Sequence, residues 1–425
     1  MAAVSSKGKG IQWVAEAAYA IDPAAGYKSV RVEGEPTVVT PAETAVPVNT
    51  LTINPYDGEP PVTTSQYVDG ALTLTTVLRK PTTPGADSFI VEAFKSGGYQ
   101  VASSDDTTVD DEESAVDEFD MDGATAVLSG EGGHILLPTG RYFPFLSSST
   151  TEGTVVPSMA LPEIPADDAV ILGADTVSPG APGITTDWLS FRHWNQMKSG
   201  ANWVYHLLTG CGMESCGDIV VERGTLPSVE MTFRAATVTR GTGAALPEDD
   251  FSEAVGIQVW EDVLFGYATA STDGGIAAAY LSAIKATLTP GVVTVPVPES
   301  GSDADHGGLA AHLSNPDDAR PRLTVEIVAT ESFLDDWEVV TAGVRGVSRY
   351  ISLVQPGTAG APGTGIFCPS ARLIEQPSPE PYGSDYEKMT LVFELYPAGY
   401  DSTDGGLPGV QANQPWYLVL PSDRA

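Results

Sequence analysis

A mainly β fold, an antiparallel sandwich or barrel flanked by one helix, is what this chain predicts. Three observations carry that expectation. Short runs of alternating apolar and polar residues recur along the chain at strand spacing. Gly (44) and Pro (33) are both abundant and supply the turns between such runs. Only one segment has a clean helical period.

Taken in order, Ile11 to Ala20 is compatible with a short helix or an extended arm. Asp22-Pro23 ends it, because the residue before a proline is pushed out of the helical region. Leu72, Leu74, Thr76 and Leu78 fall on one face of a strand, and Thr73, Thr75 and Val77 on the other. A loop with Pro81, Pro84 and Gly85 follows. The helix comes next: Asp87 or Ser88 is placed to cap it, Phe89, Ile90, Ala93 and Phe94 share a face, and Gly97-Gly98 stop it. Between Asp105 and Asp122 stand ten carboxylates, a density that repels itself and predicts a mobile loop. Residues 147–187, rich in Ser, Thr, Pro and Gly, read as a second loop region.

A hairpin is expected from Leu189 to Leu208, with His193 on one arm and His206 on the other. Asp218 to Val221 and Ser228 to Val238 read as further strands, and Gly241 to Asp250 as a connector. The second half offers strands at Ile257 to Phe265, Ala279 to Leu288, Arg322 to Ala329, Arg349 to Val354, Ile366 to Ile374 and Lys388 to Tyr396. The expected division is therefore an N-terminal β domain over residues 1–240, with an arm and long loops, and a C-terminal β domain over 251–425. A weak echo between Glu230-Met-Thr-Phe233 and Glu387-Lys-Met-Thr-Leu-Val-Phe393 leaves a duplication into two such domains open.

The charge bounds the partners. With 56 acidic and 21 basic residues the formal charge is −35, which argues against gripping nucleic acid through phosphate contacts. It does not argue against passing nucleic acid without holding it. A charge of 18% with 42% apolar residues is a globular composition. No apolar run reaches membrane-spanning length, and no secretory h-region follows Met1, so synthesis in a reducing cytoplasm without membrane insertion is the expectation.

Motifs for chemistry are few, and the expectation is a non-enzyme with no catalytic, cofactor-binding or metal residues. His193 and His206 are a candidate metal pair whose ordinary reading is a cross-strand contact. Asp303, Asp305, His306 and His312 have ligand chemistry in a glycine-rich loop, but no further ligand is fixed by the pattern. Asp120-Met121-Asp122-Gly123 lacks the later ligands of a calcium loop. Cys211 and Cys216 lack the two further ligands of a zinc knuckle; free thiols are expected, with a local disulfide as the alternative. No phosphate loop, nucleophile elbow or zinc-protease helix motif is present.

Several segments, in this order, resemble the major tail tube proteins of long-tailed bacteriophages and related tailed viruses. They are the arm Gln12 to Pro23, the strand Leu72 to Arg79 with the helix Asp87 to Gly98, and the hairpin segment Trp203 to Cys211, ending in a Leu208-Thr209-Gly210 step, leading into Asp218 to Val238. A closing pair, Phe367 to Ile374 and Tyr386 to Leu395, completes the series. The resemblance implies a structural virion protein with a β-sandwich or barrel and a flanking helix. It implies homo-oligomeric rings, trimeric if the halves are duplicated and hexameric if not, stacked head to tail around a channel for genome delivery. Partners would be other copies and other tail proteins (tape measure, tail tip, terminator), with DNA passing unbound and a final location in the virion tail. Other virion or surface-layer subunits, such as capsid or decoration proteins, are the alternative. A carbohydrate-binding β-protein using Trp188, Trp194 and Trp203 as stacking platforms is a further one. The acidity also has two readings, a DNA-repelling lumen or adaptation to high salt, given only eight lysines.

Overall fold

The computed structural model describes residues 10–39, 45–46, 62–63, 70–78, 88–110, 114–123, 126–151, 153–180, 183–184, 187–199, 201–243, 262–271, 276–295, 311–313, 320–329, 349–357, 363–375, 377, 379–382, 386–397 and 414–421. Among the described residues the chain is mainly β, its antiparallel sheets forming a half-barrel and a closed barrel with one helix.

The half-barrel contains β1 (Ile11–Ala15), β2 (Lys28–Val30), β3 (Val32–Val39), β4 (Gly70–Val77), β5 (Leu189–Ser199), β6 (Asn202–Glu222), β7 (Ser228–Ala235) and β8 (Thr237–Gly243). β1 lies between β2 and β5, and β5 pairs with β6. β6 pairs along its first part with β8 and along its second with β7. β7 then pairs with β4, and β4 with β3. The segment from Ile11 is thus a strand inside the sheet, not a helix. Its Ile11 and Trp13 point into the core, and β5 and β2 supply the ladder bonds that a helix would have made internally.

Leu72, Leu74, Thr76 and Leu78 are buried, on the face the alternation assigns them. The helix α1 (Phe89–Ser96) lies against this sheet with Phe89, Ile90, Ala93 and Phe94 buried. Ser88 takes the N-cap position without a side-chain capping bond, and Gly98, at φ 77°, supplies the left-handed turn beyond the helix. Asp87 and the prolines of the preceding loop lie outside the described residues. The ring of Phe89 sits 5.7 Å from Trp13, 6.1 Å from Phe191 and 6.2 Å from Phe233, so arm, hairpin and late strand all meet on the helix.

The closed barrel contains β9 (Val263–Ser271), β10 (Ile276–Thr289), β11 (Arg322–Ala329), β12 (Arg349–Val354), β13 (Gly365–Leu373) and β14 (Tyr386–Tyr396). The ladder runs β9–β10–β11–β14–β13–β12 and returns to β9. Closure leaves no edge within this ring. Phe265 stacks on Phe393 at 6.0 Å among Val325, Ile327, Leu353 and Ile366. Of the expected strand from Ile257, residues 257–261 lie outside the described residues, as do 244–250 of the connector.

Ladders also cross between the two halves. Ile219 to Glu222 in β6 pair with Leu288 to Lys285 in β10. The strand Tyr417–Val419 pairs with β13 on one side and with Asp175–Ser178 on the other. One continuous apolar core contains residues of both halves.

Two expectations are corrected. The acidic segment is not a mobile loop across its described part: Thr107–Thr108 and Phe119–Asp120 are strands of a small third ring. Residues 147–187 likewise supply strands, among them Thr154–Pro157 and Val170–Gly173. The ladder runs from Thr107–Thr108 through Val170–Gly173, Gly132–Leu136, Tyr142–Thr151 and Thr154–Pro157 to Phe119–Asp120. The Val109–Met121 bridge joins its two ends. The carboxylates alternate with Val109, Phe119 and Met121, all buried in a second core, so burial of these few apolar side chains holds an otherwise self-repelling segment. Asp111, Glu112 and Glu113 lie outside the described residues.

Replacing Phe89 by Ala should cost about 3–5 kcal/mol in a denaturant titration, because the ring is fully buried among three other aromatics. A cost below about 1 kcal/mol would mean that the helix does not tie the half-barrel together.

Candidate functional site

Among the described residues, those that stand out form a corner and a charged ring. The corner lies where β6 passes from its β8 partner to its β7 partner. Gly210 occupies it at φ +61°. A Cβ there would sit 2.7 Å from Cβ of Ala236 and 3.0 Å from Cε2 of Tyr19, so both the conformation and the space require glycine.

Glu16, just past β1, anchors this corner. Its carboxylate accepts the backbone N–H of Gly210 at 2.7 Å, the backbone N–H of Ala20 at 2.7 Å and the hydroxyl of Ser190 at 2.5 Å. Burial pushes this carboxyl above its ordinary value of 4.5, while the three donors pull the other way. The turn beyond it is fixed by Asp22, which accepts Ala24 N–H and the Tyr27 hydroxyl and pairs with Arg192 at 3.5 Å. The Arg192 guanidinium lies 3.7 Å from the Tyr27 ring centroid. Sequence reading saw the arm but not its Glu16 anchor; a carboxylate followed four residues later by Ala20 was too weak a signal.

The paired histidines fall where the hairpin places them. His193 and His206 are directly opposite across β5 and β6, their rings parallel within 9° and 6.2 Å apart. Burial and the charge of Arg240, opposite on β8, push the His206 imidazole below its usual 6.5. They make a cross-strand contact, and among the described residues no group of three or more His, Cys, Asp or Glu could hold a metal ion. Asp303, Asp305 and His306 lie outside the described residues; His312 is in a short strand pairing with Gly183 and Thr294. Asp120 and Met121 belong to the small ring, and Asp122 accepts the Thr108 hydroxyl at 3.0 Å, which replaces the calcium-loop geometry with a ladder.

All three cysteines are free thiols, so Cys211 and Cys216 form no disulfide. Burial pushes Cys211 well above its ordinary range and Cys216 up to about 12, which makes both poor nucleophiles. Trp188 and Trp194 are buried, and the Trp194 indole donates to Gln12 Oε1 at 2.9 Å; neither offers a ring face for a sugar.

The charge is unevenly placed. The stretch 101–180, which includes the strands of the small ring, carries sixteen carboxylates and one cation, Arg141. Arg141 pairs with Asp262 beside the closed barrel. Further links dock the small ring there: Tyr350 to Ser158, Tyr280 to the Ala160 carbonyl, His134 to the Gly363 carbonyl and the Tyr142–Gly357 bridge.

Comparison with protein-family models and with curated proteins finds no match to this chain.

Two outcomes follow from this geometry. Glu16→Ala should destabilise the fold by about 2–3 kcal/mol, since two backbone donors lose their acceptor; urea unfolding measures it. His206, with a folded value below 6.5, contributes stability that is present above that pH and is lost as pH falls through its folded value. His206→Gln should therefore flatten the decline of Tm below pH 6.5, and equal slopes in the two proteins would refute the assignment.

Proposed function

We propose that this chain is a structural subunit of a virus tail: a tail tube protein that assembles into stacked rings around a channel for genome delivery. The observation that carries this reading is the convergence of the resembling segments on one core. The arm supplies Trp13, the strand before the helix supplies Leu72 and Leu74, the helix supplies Phe89, the hairpin supplies Leu208 and the late strand supplies Phe233. Segments scattered over more than two hundred residues thus build a single sheet-and-helix unit. The Thr209-Gly210 step of the resemblance falls on the corner where that unit changes sheets.

In this reading the chemistry is assembly, not catalysis. Backbone edges and arms join copies, and a heterologous contact that closes by rotation makes a ring. Axial stacking of rings then makes the tube. Carboxylates facing the lumen would repel DNA phosphates and let the genome slide. The partners are further copies and the other tail components. The working location is the virion, after synthesis in the host cytoplasm.

Negative-stain electron microscopy of the purified protein, concentrated and seeded with tail-tip protein, tests it. Stacked rings with a central channel are expected. Closed shells or flat lattices would favour a capsid, decoration or surface-layer subunit, and persistent monomers would overturn self-assembly.

A further inference from the structure

The hairpin sheet is built from sequence without carboxylates. From Trp188 to Met213 and from Met231 to Gly243, 39 residues in all, there is no Asp or Glu, where an even spread of the acids would place about five. The same stretches hold Arg192, Lys198, Arg234 and Arg240, with His193 and His206. Two of the arginines are neutralised: Arg192 pairs with Asp22 at 3.5 Å and Arg234 with Glu214 at 2.7 Å. Arg240 makes no ion pair among the described residues. It is exposed, and its direct cross-strand neighbour is an imidazole, His206, where a carboxylate would be the balanced choice.

The register extends this pair into a row. Arg240 lies opposite His206 and His206 opposite His193, so three nitrogen-bearing side chains from β8, β6 and β5 share one face. His193 is buried, and its ring lies parallel to that of His206 within 9°. Two positions along the strands on this face stand Phe191, Val204, Leu208, Val238 and Thr242, and β1 adds Ile11; none of these titrates. Arg192 and its partner Asp22 belong to the other face, where Arg192 lies opposite Leu207. The row is therefore positive charge that its own face does not balance. Burial, and then the Arg240 charge, hold the His206 imidazole below 6.5.

We propose that His206 and Arg240 form a site for a tetrahedral oxyanion such as a phosphate group, with His193 as the positioning residue behind them. The planar guanidinium presents two N–H donors to two oxygens of such an anion, and the imidazole donates a third bond. The anion supplies the counter-charge that this face omits, and it favours the protonated imidazole that Arg240 alone disfavours. By linkage, binding strengthens as pH falls through the His206 titration. The inference goes beyond the tube reading and stands without it. One row per copy is a point contact, not the patch of Lys and Arg that grips a duplex, so it does not conflict with DNA passing unbound.

The test is histidine-ring NMR of the full chain, in sodium sulfate against sodium chloride at matched ionic strength. Sulfate keeps its charge across the histidine titration range, so any pH dependence belongs to the protein. His206→Gln identifies the signal, and His134, on a strand of the small ring, is the internal reference. Sulfate is expected to raise the His206 midpoint by about half a pH unit or more and to leave His134 in place. Arg240→Gln, at an exposed position, should keep the wild-type Tm in chloride, weaken sulfate binding about tenfold and remove the shift. Arg240→Lys, which keeps the charge without the fork, should bind with intermediate affinity. A short oligothymidylate in place of sulfate distinguishes the sources: a larger shift at equal anion concentration assigns the site to phosphodiesters, and a smaller one assigns it to free ions. A His206 midpoint that neither anion moves, or an equal shift in Arg240→Gln, would overturn the site.

Discussion

Strand β6 is the constraint on which the rest of the structure depends. At 21 residues it is roughly 70 Å of extended chain, far beyond an ordinary strand. No single flat ladder could serve that length, since a twisting strand leaves one set of neighbours and meets another. β6 solves this by bending at Gly210 and changing partners there. Before the bend it lies between β5 and β8; after it, β7 follows, and its end joins β10 of the closed barrel. The position of the closed barrel relative to the half-barrel is therefore tied to one backbone conformation. Glu16 holds that conformation by accepting the Gly210 N–H, so a residue two hundred positions away in sequence fixes the corner.

The half-buried carboxylate has a cost that its position offsets. Desolvation disfavours its charged form, yet three donors converge on it, and removing the carboxylate would leave two backbone N–H groups without their acceptor. Glu16 and His206 respond to acid in opposite directions. A raised carboxyl stabilises the fold as it gains its proton, whereas a depressed imidazole destabilises it. Both groups lie on the same hairpin assembly, so its stability in mild acid is a difference between the two.

Much of the fold was legible because local period and tertiary burial agree. Leu72, Leu74 and Leu78 face the core that their alternation demands, and the helix with Phe89 and Phe94 stands between the glycines that end it and the serine that begins it. The strands Arg322–Ala329 and Arg349–Val354 keep their expected bounds. The arm stayed open between helix and extended chain because Trp13-Val-Ala-Glu-Ala-Ala has both helical composition and strand pairing partners, and only the distant β5 decides between them. The acidic segment misled for a different reason. Composition reports the repulsion among its carboxylates, but Val109, Phe119 and Met121 each contribute one apolar side chain to a core that is assembled from residues as far along the chain as Val419. Three isolated apolar residues in such a run give no local period. The Glu16 anchor was invisible for the same cause: three of its contacts are set by positions 20, 190 and 210, and only the folded chain brings them together.

That ring sharpens the question of what the charge is for. A charge of −35 spread evenly would oppose any contact between copies, and at physiological salt each carboxylate acts over roughly 8 Å. The charge is not even: the stretch 101–180 holds sixteen carboxylates against one arginine, and it includes the small ring, whose strands close on themselves and which contacts the closed barrel. A closed ring has no strand edge to lend to a neighbour, so its charge acts through its field and through hydration, not through a ladder. The half-barrel, by contrast, carries Arg192, Arg234 and Arg240 on the hairpin and its partner strands. Under this arrangement a conduit role and adaptation to salt place different demands on the same ring. A conduit needs its carboxylates turned toward the channel, where phosphates pass. Salt adaptation needs them on the outer surface, where hydration keeps neighbouring particles apart.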